Sequence, residues 1–260
     1  MIEISKKITT NVGRTNAQFG LIKENDRIMI GFSGGKDSLT LLHTLNRMQK
    51  KAPFKFDFKA VTITYGMGEQ IEFLSNHCKE HGIEHEIIDT QIFDLAGEKI
   101  RKNSSFCSFF SRMRRGYLYT TALEQGYNKV ALGHHLDDAM ESYFMNLFYN
   151  GTMRTMPPIY KANNGLEVIR PLIFCRERQL RAFADSNEIR VIGDEACPGL
   201  RFDVKMPHAR ATTKELLAKL EEQNPKIFVS MKAAFSNIQL PTFFYNNLKD
   251  INLNIEDENI

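Results

Sequence analysis

Several features that mark other protein classes are absent from this sequence. Its 260 residues include no tryptophan, only eight prolines and only four cysteines. The modest glycine and proline content excludes collagen-like and low-complexity chains. No apolar run approaches the roughly 18 residues that span a bilayer, and the N-terminus, Met1-Ile-Glu-Ile-Ser-Lys-Lys, lacks the apolar stretch of a secretory signal. We therefore expect a cytoplasmic protein that does not associate with membranes.

Cysteine is too scarce here for a disulfide framework. A chain of 260 residues can bury a stable core without cross-links, and cytosolic thiols stay reduced. Each cysteine is therefore a core thiol, a metal or cluster ligand, or a catalytic sulfur. The four are Cys78, Cys107, Cys175 and Cys197.

Charge is distributed unevenly along the chain. The formal net charge is only +3, yet residues 99–181 contain thirteen Lys or Arg against six Asp or Glu, a local excess of +7. Such a block is typical of a polyanion-binding surface, and also of a solvated basic face. Composition alone leaves both interpretations open.

Apolar segments with strand and helix periodicity alternate along the chain. This alternation predicts an α/β fold with a parallel sheet covered by helices on both faces. The predicted strands lie at 26–32, 58–65, 84–89, 129–133, 167–169 and 190–192, and predicted helices follow residue 35 and residue 135 and lie near 70–81 and 176–186. The predicted organisation is an N-terminal helical segment (1–24), a central domain (25–205), a C-terminal helical extension (206–245) and an acidic tail (246–260).

The loop after the first strand carries the clearest chemical signal, Ser33-Gly34-Gly35-Lys36-Asp37-Ser38. Glycines before a helix let backbone N–H groups approach a phosphate, and a lysine adds charge. It is not a Walker A loop, because Ile30 stands where that motif needs glycine and Asp37 where it needs Ser or Thr. A carboxylate in an anion-binding loop indicates a divalent cation between it and the phosphates. We predict ATP with Mg²⁺; the alternative is a turn that only caps a helix.

A family resemblance follows from this loop and several later segments. Ser-Gly-Gly-Lys-Asp-Ser resembles the PP-loop of the N-type ATP pyrophosphatases, whose fold is adenine nucleotide alpha hydrolase-like. Four later segments resemble the tRNA 2-thiocytidine synthetases: Leu132-Gly-His-His-Leu-Asp-Asp138, Met156-Pro-Pro158, Val168-Ile-Arg-Pro-Leu172 with Cys175-Arg-Glu177, and Ser111-Arg-Met-Arg-Arg-Gly116. The resemblance implies an enzyme that adenylates a nucleobase carbonyl, releases pyrophosphate and transfers sulfur, with cytidine in tRNA as the substrate.

The segment Leu132–Asp138, the second motif after the PP-loop, begins at the end of the predicted strand at 129–133. Gly133 and His134 should lie at the carboxyl edge of the sheet, beside the nucleotide. Asp137 is predicted as a catalytic or Mg²⁺-binding acid and Asp138 as the helix cap, although acids in a first turn can both be caps. Together with Lys36 and Asp37, Asp137 forms the predicted activating group.

The cysteine pattern departs from the one that the resemblance implies. In the 2-thiocytidine synthetases, three cysteines of two C-x-x-C motifs hold an iron–sulfur cluster. Here Phe110 replaces the second cysteine of the first motif and Asp194 the first cysteine of the other, which leaves Cys107 and Cys197. Three alternatives stay open. The first is a cluster held by Cys107, Cys197 and Asp194, and the second is a persulfide and resolving pair formed by the two cysteines. The third is loss of sulfur chemistry, with the protein activating RNA for another nucleophile or only binding ATP or RNA.

Basic residues supply the predicted tRNA contacts. The candidates are Arg112, Arg114, Arg115, Arg154 and Arg176. The further partners expected are a sulfur donor such as a cysteine desulfurase and a second copy of the chain. A rival interpretation is a PP-loop enzyme that amidates a small molecule, which the basic central region disfavours.

Overall fold

The structure of the chain is a computed structural model that describes residues 2–99, 106–193, 198 and 208–242. The backbone forms two compact units, residues 1–215 and residues 216–260. Among the described helices, none is long and apolar enough to cross a membrane.

Helices and strands alternate through the first unit. Their bounds are α1 Lys6–Phe19, β1 Arg27–Gly31, α2 Lys36–Lys51, β2 Asp57–Ile63, α3 Glu72–Glu80, β3 His85–Ile88, α4 Ile92–Lys99, α5 Phe106–Glu124, β4 Lys129–Ala131, α6 Leu136–Asn150, β5 Ile159–Lys161, β6 Glu167–Ile169, α7 Glu177–Ser186 and α8 His208–Gln223. The second unit contains the end of α8, helix α9 (Ile227–Ala234) and a 3₁₀ turn at Leu240–Thr242.

Six strands form one sheet in the order β3-β2-β1-β4-β6-β5. All neighbouring pairs are parallel except β5 and β6. From β1 the chain first builds outward through β2 and β3 and then returns to β4 on the other side. In open α/β sheets, ligands bind at such a reversal, beyond the carboxyl ends of the strands.

The sheet is buried on both faces, as the apolar runs predict. Ile28 and Ile30 of β1 pack into a core with α1, α2, α3 and α7, whereas Met29 packs into a second core with α4 and α5. Successive strand side chains point to opposite faces, so β1 contributes to both cores. Burial of each such side chain contributes about 1.5–3 kcal/mol to folding.

Two predicted details of the sheet are wrong. Residues 190–192 do not form a strand; the Ile192 N–H instead donates to the Gly34 carbonyl at 2.9 Å, so this segment pairs with the loop after β1. In addition, β5 joins the edge in antiparallel orientation, which the predicted all-parallel sheet does not include. This three-residue strand follows Pro157 and Pro158 and has little periodicity to detect.

A buried ion pair ties β4 to the segment before β1. Lys129 is only 2% exposed, and its ammonium lies 2.9 Å from the Asp26 carboxylate and donates to the Leu21 carbonyl at 2.8 Å. Glu167 of β6 adds a contact at 3.1 Å. A buried charge is tolerated when it is paired and hydrogen-bonded in this way.

Candidate active site

The loop between β1 and α2 presents the N-terminus of α2 at the carboxyl edge of the sheet. Helix α2 begins at Lys36 with Gly35 as its N-cap, and no described side chain caps its first turn. The first backbone N–H groups of a helix have no partner within the helix and carry partial positive charge. The arrangement suits a phosphate, as the sequence motif predicts.

Gly34 gives this loop its shape. Its φ of +78° lies in the left-handed region, and a Cβ at this position would lie 2.7 Å from the Ile192 side chain. Only glycine fits both conditions without strain. The hydroxyls of Ser33 and Ser38, which lie 3.2 Å apart, flank the glycines.

Lys36 is held between two carboxylates. Its ammonium lies 3.2 Å from Asp37 and 3.2 Å from Glu177 at the start of α7. Burial alone would lower the pKa of Lys36, but the two carboxylates raise it above its usual value. The Lys36 side chain is therefore positively charged, and it lies at the N-terminus of α2.

One carboxylate oxygen of Asp37 has no hydrogen bond from the described residues, although His135 Nε2 lies 3.8 Å from it. Among the described residues, Asp37 Oδ1 is buried and accepts no hydrogen bond, while Oδ2 bonds Lys36. Burial raises the pKa of Asp37, against the opposing influence of His135 and Lys36. A hard cation would satisfy this oxygen, so the donor fits Mg²⁺. The predicted Mg²⁺ role of Asp37 has this support from the structure.

The second motif packs directly against the first. A Cβ at Gly133 would lie 3.1 Å from the carbonyl carbon of Asp37 and 3.2 Å from the Ser38 nitrogen. Next along the chain, His135 caps α6: its ring accepts from the Asp138 N–H, and the Asp138 carboxylate accepts from the His135 N–H. Asp138 therefore takes part in capping, as the sequence predicts, but as the reciprocal member of a capping box whose N-cap is His135.

Asp137 is engaged by protein groups on both oxygens. Arg176 Nε lies 3.1 and 3.2 Å from the two oxygens, and the Glu177 N–H donates to Oδ2 at 2.7 Å. Burial would raise the pKa of Asp137, but the nearby His135 ring and the hydrogen bonds from Arg176 and the Glu177 N–H hold it well below its usual range. Asp137 thus orients the start of α7. This includes Glu177, whose carboxylate pairs with Lys36. The role of Asp137 as a metal ligand stays a prediction.

His134 is a neutral donor in the cavity wall. Burial lowers its pKa to about 4, and nearby arginines act in the same direction. Arg170 Nε donates to His134 Nδ1 at 3.3 Å, so Nε2 must carry the ring proton. Arg170 itself is held by the Pro157 carbonyl at 2.7 Å and lies over the Tyr160 ring. His134 can therefore donate to a substrate oxygen.

A cavity of about 430 Å³ joins these elements. Ser33, Asp37, Gly133 and His134 line one part of it, and residues of α5 and α8, together with the end of β2, line much of the rest. The lining from these two helices includes Phe110, Arg114, Arg115 and Arg210. One wall thus consists of the nucleotide motifs and the other of basic and aromatic residues.

The five arginines predicted to contact RNA occupy three kinds of position. Arg114 and Arg115 line the cavity, and Arg114 donates to the Tyr65 hydroxyl at 2.8 Å. Arg112 and Arg154 are exposed, whereas Arg176 is largely buried in its pair with Asp137. The first four are accessible from the cavity or from solvent, and their contact with RNA stays a prediction, whereas Arg176 is held inside the site by Asp137.

Three polar residues of this site have no counterpart in the prediction: Arg170, Glu177 and Arg210. Arg210 of α8 contacts Asp138 and donates to Glu141 at 2.7 Å. Each acts through a partner at least 36 positions away in the sequence. Arg170 and Glu177 lie in the Arg-Pro-Leu and Cys-Arg-Glu segments on which the family resemblance is based, and these segments are the only features of the sequence that point to the two residues.

The cysteines divide as the sequence predicts as far as they are described. Cys78 and Cys175 are buried, and burial raises the pKa of each thiol to about 12. Cys107 lies in the first turn of α5, but its side chain, Cys197 and Asp194 are outside the described residues. Phe110 is buried against Tyr65 and Phe93, at ring distances of 5.6 and 6.4 Å.

Comparison with known proteins agrees with this geometry. The PP-loop domain family matches residues 4–205. The chain is 44% identical to a tRNA-cytidine(32) 2-sulfurtransferase of Geobacter metallireducens, over 90% of both chains. It is 37% identical to one of Pseudomonas syringae, over 98% of this chain and 92% of that relative.

Two solved structures share the fold. One is the U34-tRNA thiolase NcsA from Methanococcus maripaludis with its [4Fe-4S] cluster, at a TM-score of 0.70 and 23% identity over 89% of this chain and 77% of that chain. The other is the NH₃-dependent NAD synthetase of Campylobacter jejuni, at 0.51 and 16%, over 90% and 87%. By its motifs, its fold and its similarity to these sulfurtransferases, the chain belongs to the PP-loop family.

Proposed function

We propose that this protein is an ATP-dependent tRNA sulfurtransferase that activates the C2 carbonyl of a cytidine by adenylation. The observation that carries the proposal is the buried Asp37 oxygen that accepts no hydrogen bond from the described residues, beside Lys36 at the N-terminus of α2. The similarity to tRNA-cytidine(32) 2-sulfurtransferases over nine-tenths of the chain supports the substrate.

The reaction has two displacements. The carbonyl oxygen of the base attacks the α-phosphorus of ATP, and pyrophosphate leaves. Sulfur then attacks C2 of the activated base, and AMP leaves with the original oxygen. Because negative charge grows on the phosphates in the first step, preorganised positive groups at this site lower the barrier.

The residues of the chain divide this work. The first N–H groups of α2 and the Lys36 ammonium stabilise the phosphates, and Asp37 would hold Mg²⁺, which neutralises phosphate charge when bound. His134, neutral and with Nε2 as donor, can hold a nucleotide or base oxygen. The cavity wall from α5 positions the RNA through Arg114 and Arg115.

The sulfur step has two candidate arrangements, and both use Cys107 and Cys197. In one, one thiol carries a persulfide received from the sulfur donor; its outer sulfur bonds to C2, and the other thiol attacks the inner sulfur, which breaks the S–S bond of the persulfide and leaves a disulfide. In the other, they hold an iron–sulfur cluster with a further donor such as Asp194, because Phe110 offers no ligand. Clusters are ordinarily held by three or four ligands, mostly thiolates. Iron assay and visible absorption after anaerobic purification separate the two: stoichiometric iron would exclude the thiol pair.

Partners and location complete the proposal. A cysteine desulfurase or a similar donor supplies sulfur, and the protein works in the cytoplasm, where its tRNA substrate is.

We assign catalysis to residues 25–205 and infer a homodimer. Exposed apolar side chains at the end of α6, Phe148, Tyr149 and Met153, are the candidate contact surface. Light scattering that shows a monomer at assay concentration would contradict the dimer.

The test combines α-labelled ATP, unmodified tRNA and a sulfide source. We expect AMP, pyrophosphate and a 2-thiocytidine nucleoside by mass spectrometry. ADP as the product would overturn the assignment, and AMP without thiolated nucleoside would indicate that the activated base meets another nucleophile.

A matched pair of lysine variants locates the activity. Lys36→Met should reduce AMP formation at least about 100-fold, the usual effect of removing one charge-stabilising donor. Lys59 is the control, because it also pairs with two carboxylates, Glu84 and Glu86, but lies in the first half of β2, away from the carboxyl edge. Equal losses in Lys36→Met and Lys59→Met would mean that the loop has no specific role.

A further inference from the structure

A cluster of three histidines lies on the helices that cover one face of the sheet. His43 is on the buried side of α2, His77 is in the last turn of α3, and His81 directly follows that helix. Among the described residues, this is the one group of three or more potential metal-ligating side chains in mutual reach. The proposed adenylation and sulfur steps use none of them.

The ring nitrogens converge on a common point. One ligand nitrogen from each histidine lies within 4.8 Å of the other two, and His43 Nε2 is 2.7 Å from His77 Nε2. In a tetrahedral zinc site with Zn–N bonds near 2.0–2.1 Å, ligand nitrogens are about 3.3 Å apart. Small side-chain rotations would therefore produce the coordination geometry without moving the helices.

The rings of His43 and His77 are also in the protonation state that binds metal. Burial, together with the neighbouring histidines and Lys50, lowers the pKa of His43 to about 3. Burial likewise lowers the pKa of His77, with His81 acting in the same direction. At neutral pH these two imidazoles are uncharged, and a neutral imidazole is the ligand form.

The backbone holds the three residues in place. His77 and His81 are four positions apart, the spacing that brings two side chains to one face of a helix. Asn46 of α2 donates to the His81 carbonyl at 3.4 Å, and the His43 ring lies 5.9 Å from Phe183 of α7. His43 is 4% exposed, whereas His77 and His81 are half-buried, so the cluster opens to solvent on one side.

We propose that His43, His77 and His81 form a binding site for a divalent transition-metal ion such as zinc, with a fourth position open to water. The ion would join α2 to α3. His43 lies seven residues after Lys36, about 10 Å along the helix, so the site is distinct from the nucleotide site. It is independent of the proposed function, because it shares no ligand with the ATP or sulfur chemistry.

Binding of Co²⁺ to the metal-free full-length chain tests the proposal. Co²⁺ reports its ligands in the visible spectrum, which separates imidazole from thiolate coordination at Cys107 or Cys197. We expect a nitrogen-ligated ion in the wild type. Since loss of a group that only supports a ligand already costs about 10–100-fold in metal affinity, loss of a ligand in His77→Ala or His81→Gln should lower the affinity for Co²⁺ at least about 100-fold. His85→Gln is the matched control, since His85 bonds Thr62 and Ser75 and lies outside the cluster.

Zinc added to wild-type chain with ¹⁵N-labelled histidine gives a measurement that needs no variant. The ring ¹⁵N signals of His43, His77 and His81 should shift together and reach their end point at one equivalent of zinc. Shifts confined to other histidines, or wild-type affinity in both folded variants, would overturn the proposal and leave a hydrogen-bonded histidine cluster without a metal.

Discussion

Gly133→Ala is the most direct test of how the two ATP motifs are joined. Gly133 follows β4 and touches the backbone of Asp37 and Ser38 at the start of α2. Adding one methyl group changes neither charge nor hydrogen bonding. An effect on activity must therefore be steric, through displacement of the phosphate-binding loop or through the methyl group in the cavity that Gly133 lines.

The size of the displacement follows from the contact distances. The new Cβ would lie 3.1 Å from the Asp37 carbonyl carbon and 3.2 Å from the Asp37 oxygen and Ser38 nitrogen. Carbon atoms prefer separations of about 3.5–4.0 Å, so the backbones must part by about 0.4 Å or more. Helix α2 cannot yield freely, because the residues from Ser38 to Asn46 are all buried.

This shift should reduce the rate more than it reduces folding. A misplacement of about 1 Å can lower a rate by about 100-fold, so roughly half of that predicts about a tenfold loss, or about 1.4 kcal/mol in the barrier. Overpacking of this kind destabilises a fold by about 1–3 kcal/mol. Since domains are stable by about 5–15 kcal/mol, the variant should remain folded.

The assay is AMP release from α-labelled ATP with tRNA, together with urea denaturation. Gly13→Ala in α1 is the control, because it makes the same chemical change where no atom lies within 4 Å. It should retain full activity and gain up to about 1 kcal/mol from helix propensity. Unchanged activity in Gly133→Ala would refute the close contact between the two motifs, and equal losses in both variants would refute its specificity.

Further predictions concern stability and thiol chemistry. Lys129→Ala leaves the buried Asp26 carboxylate without its counter-ion, so the free energy of unfolding should fall by about 3–5 kcal/mol in urea denaturation. Adding Asp26→Asn should restore part of this stability. A loss below about 1 kcal/mol would contradict a buried ion pair. Phe110→Ala should lower the free energy of unfolding by about 3–5 kcal/mol, and a silent change would mean that Phe110 is not in the core. Cys78 and Cys175, with thiol pKa values near 12, should resist a thiol reagent at pH 8 until the chain unfolds, and rapid labelling of either in the native protein would contradict their burial.

Local patterns predict most of the sheet and one half of the site. The run before Ser33 forms β1, and the glycine loop and helix follow as expected. The prediction was wrong at 190–192, where Ile192 pairs with Gly34 instead of a strand. An extended segment carries no local sign of whether its partner is a strand or a loop, because that choice depends on distant backbone.

The sequence by itself determined the β1–loop–α2 unit and the family, and it predicted the ATP role of Lys36 and Asp37, because each depends on neighbouring residues with a fixed local geometry. Only the tertiary structure decided how those groups are held. Arg176 engages Asp137 and Glu177 engages Lys36 across 39 and 141 positions of sequence. Such contacts arise when parallel strands end at one sheet edge and bring their loops together, and no local pattern records them.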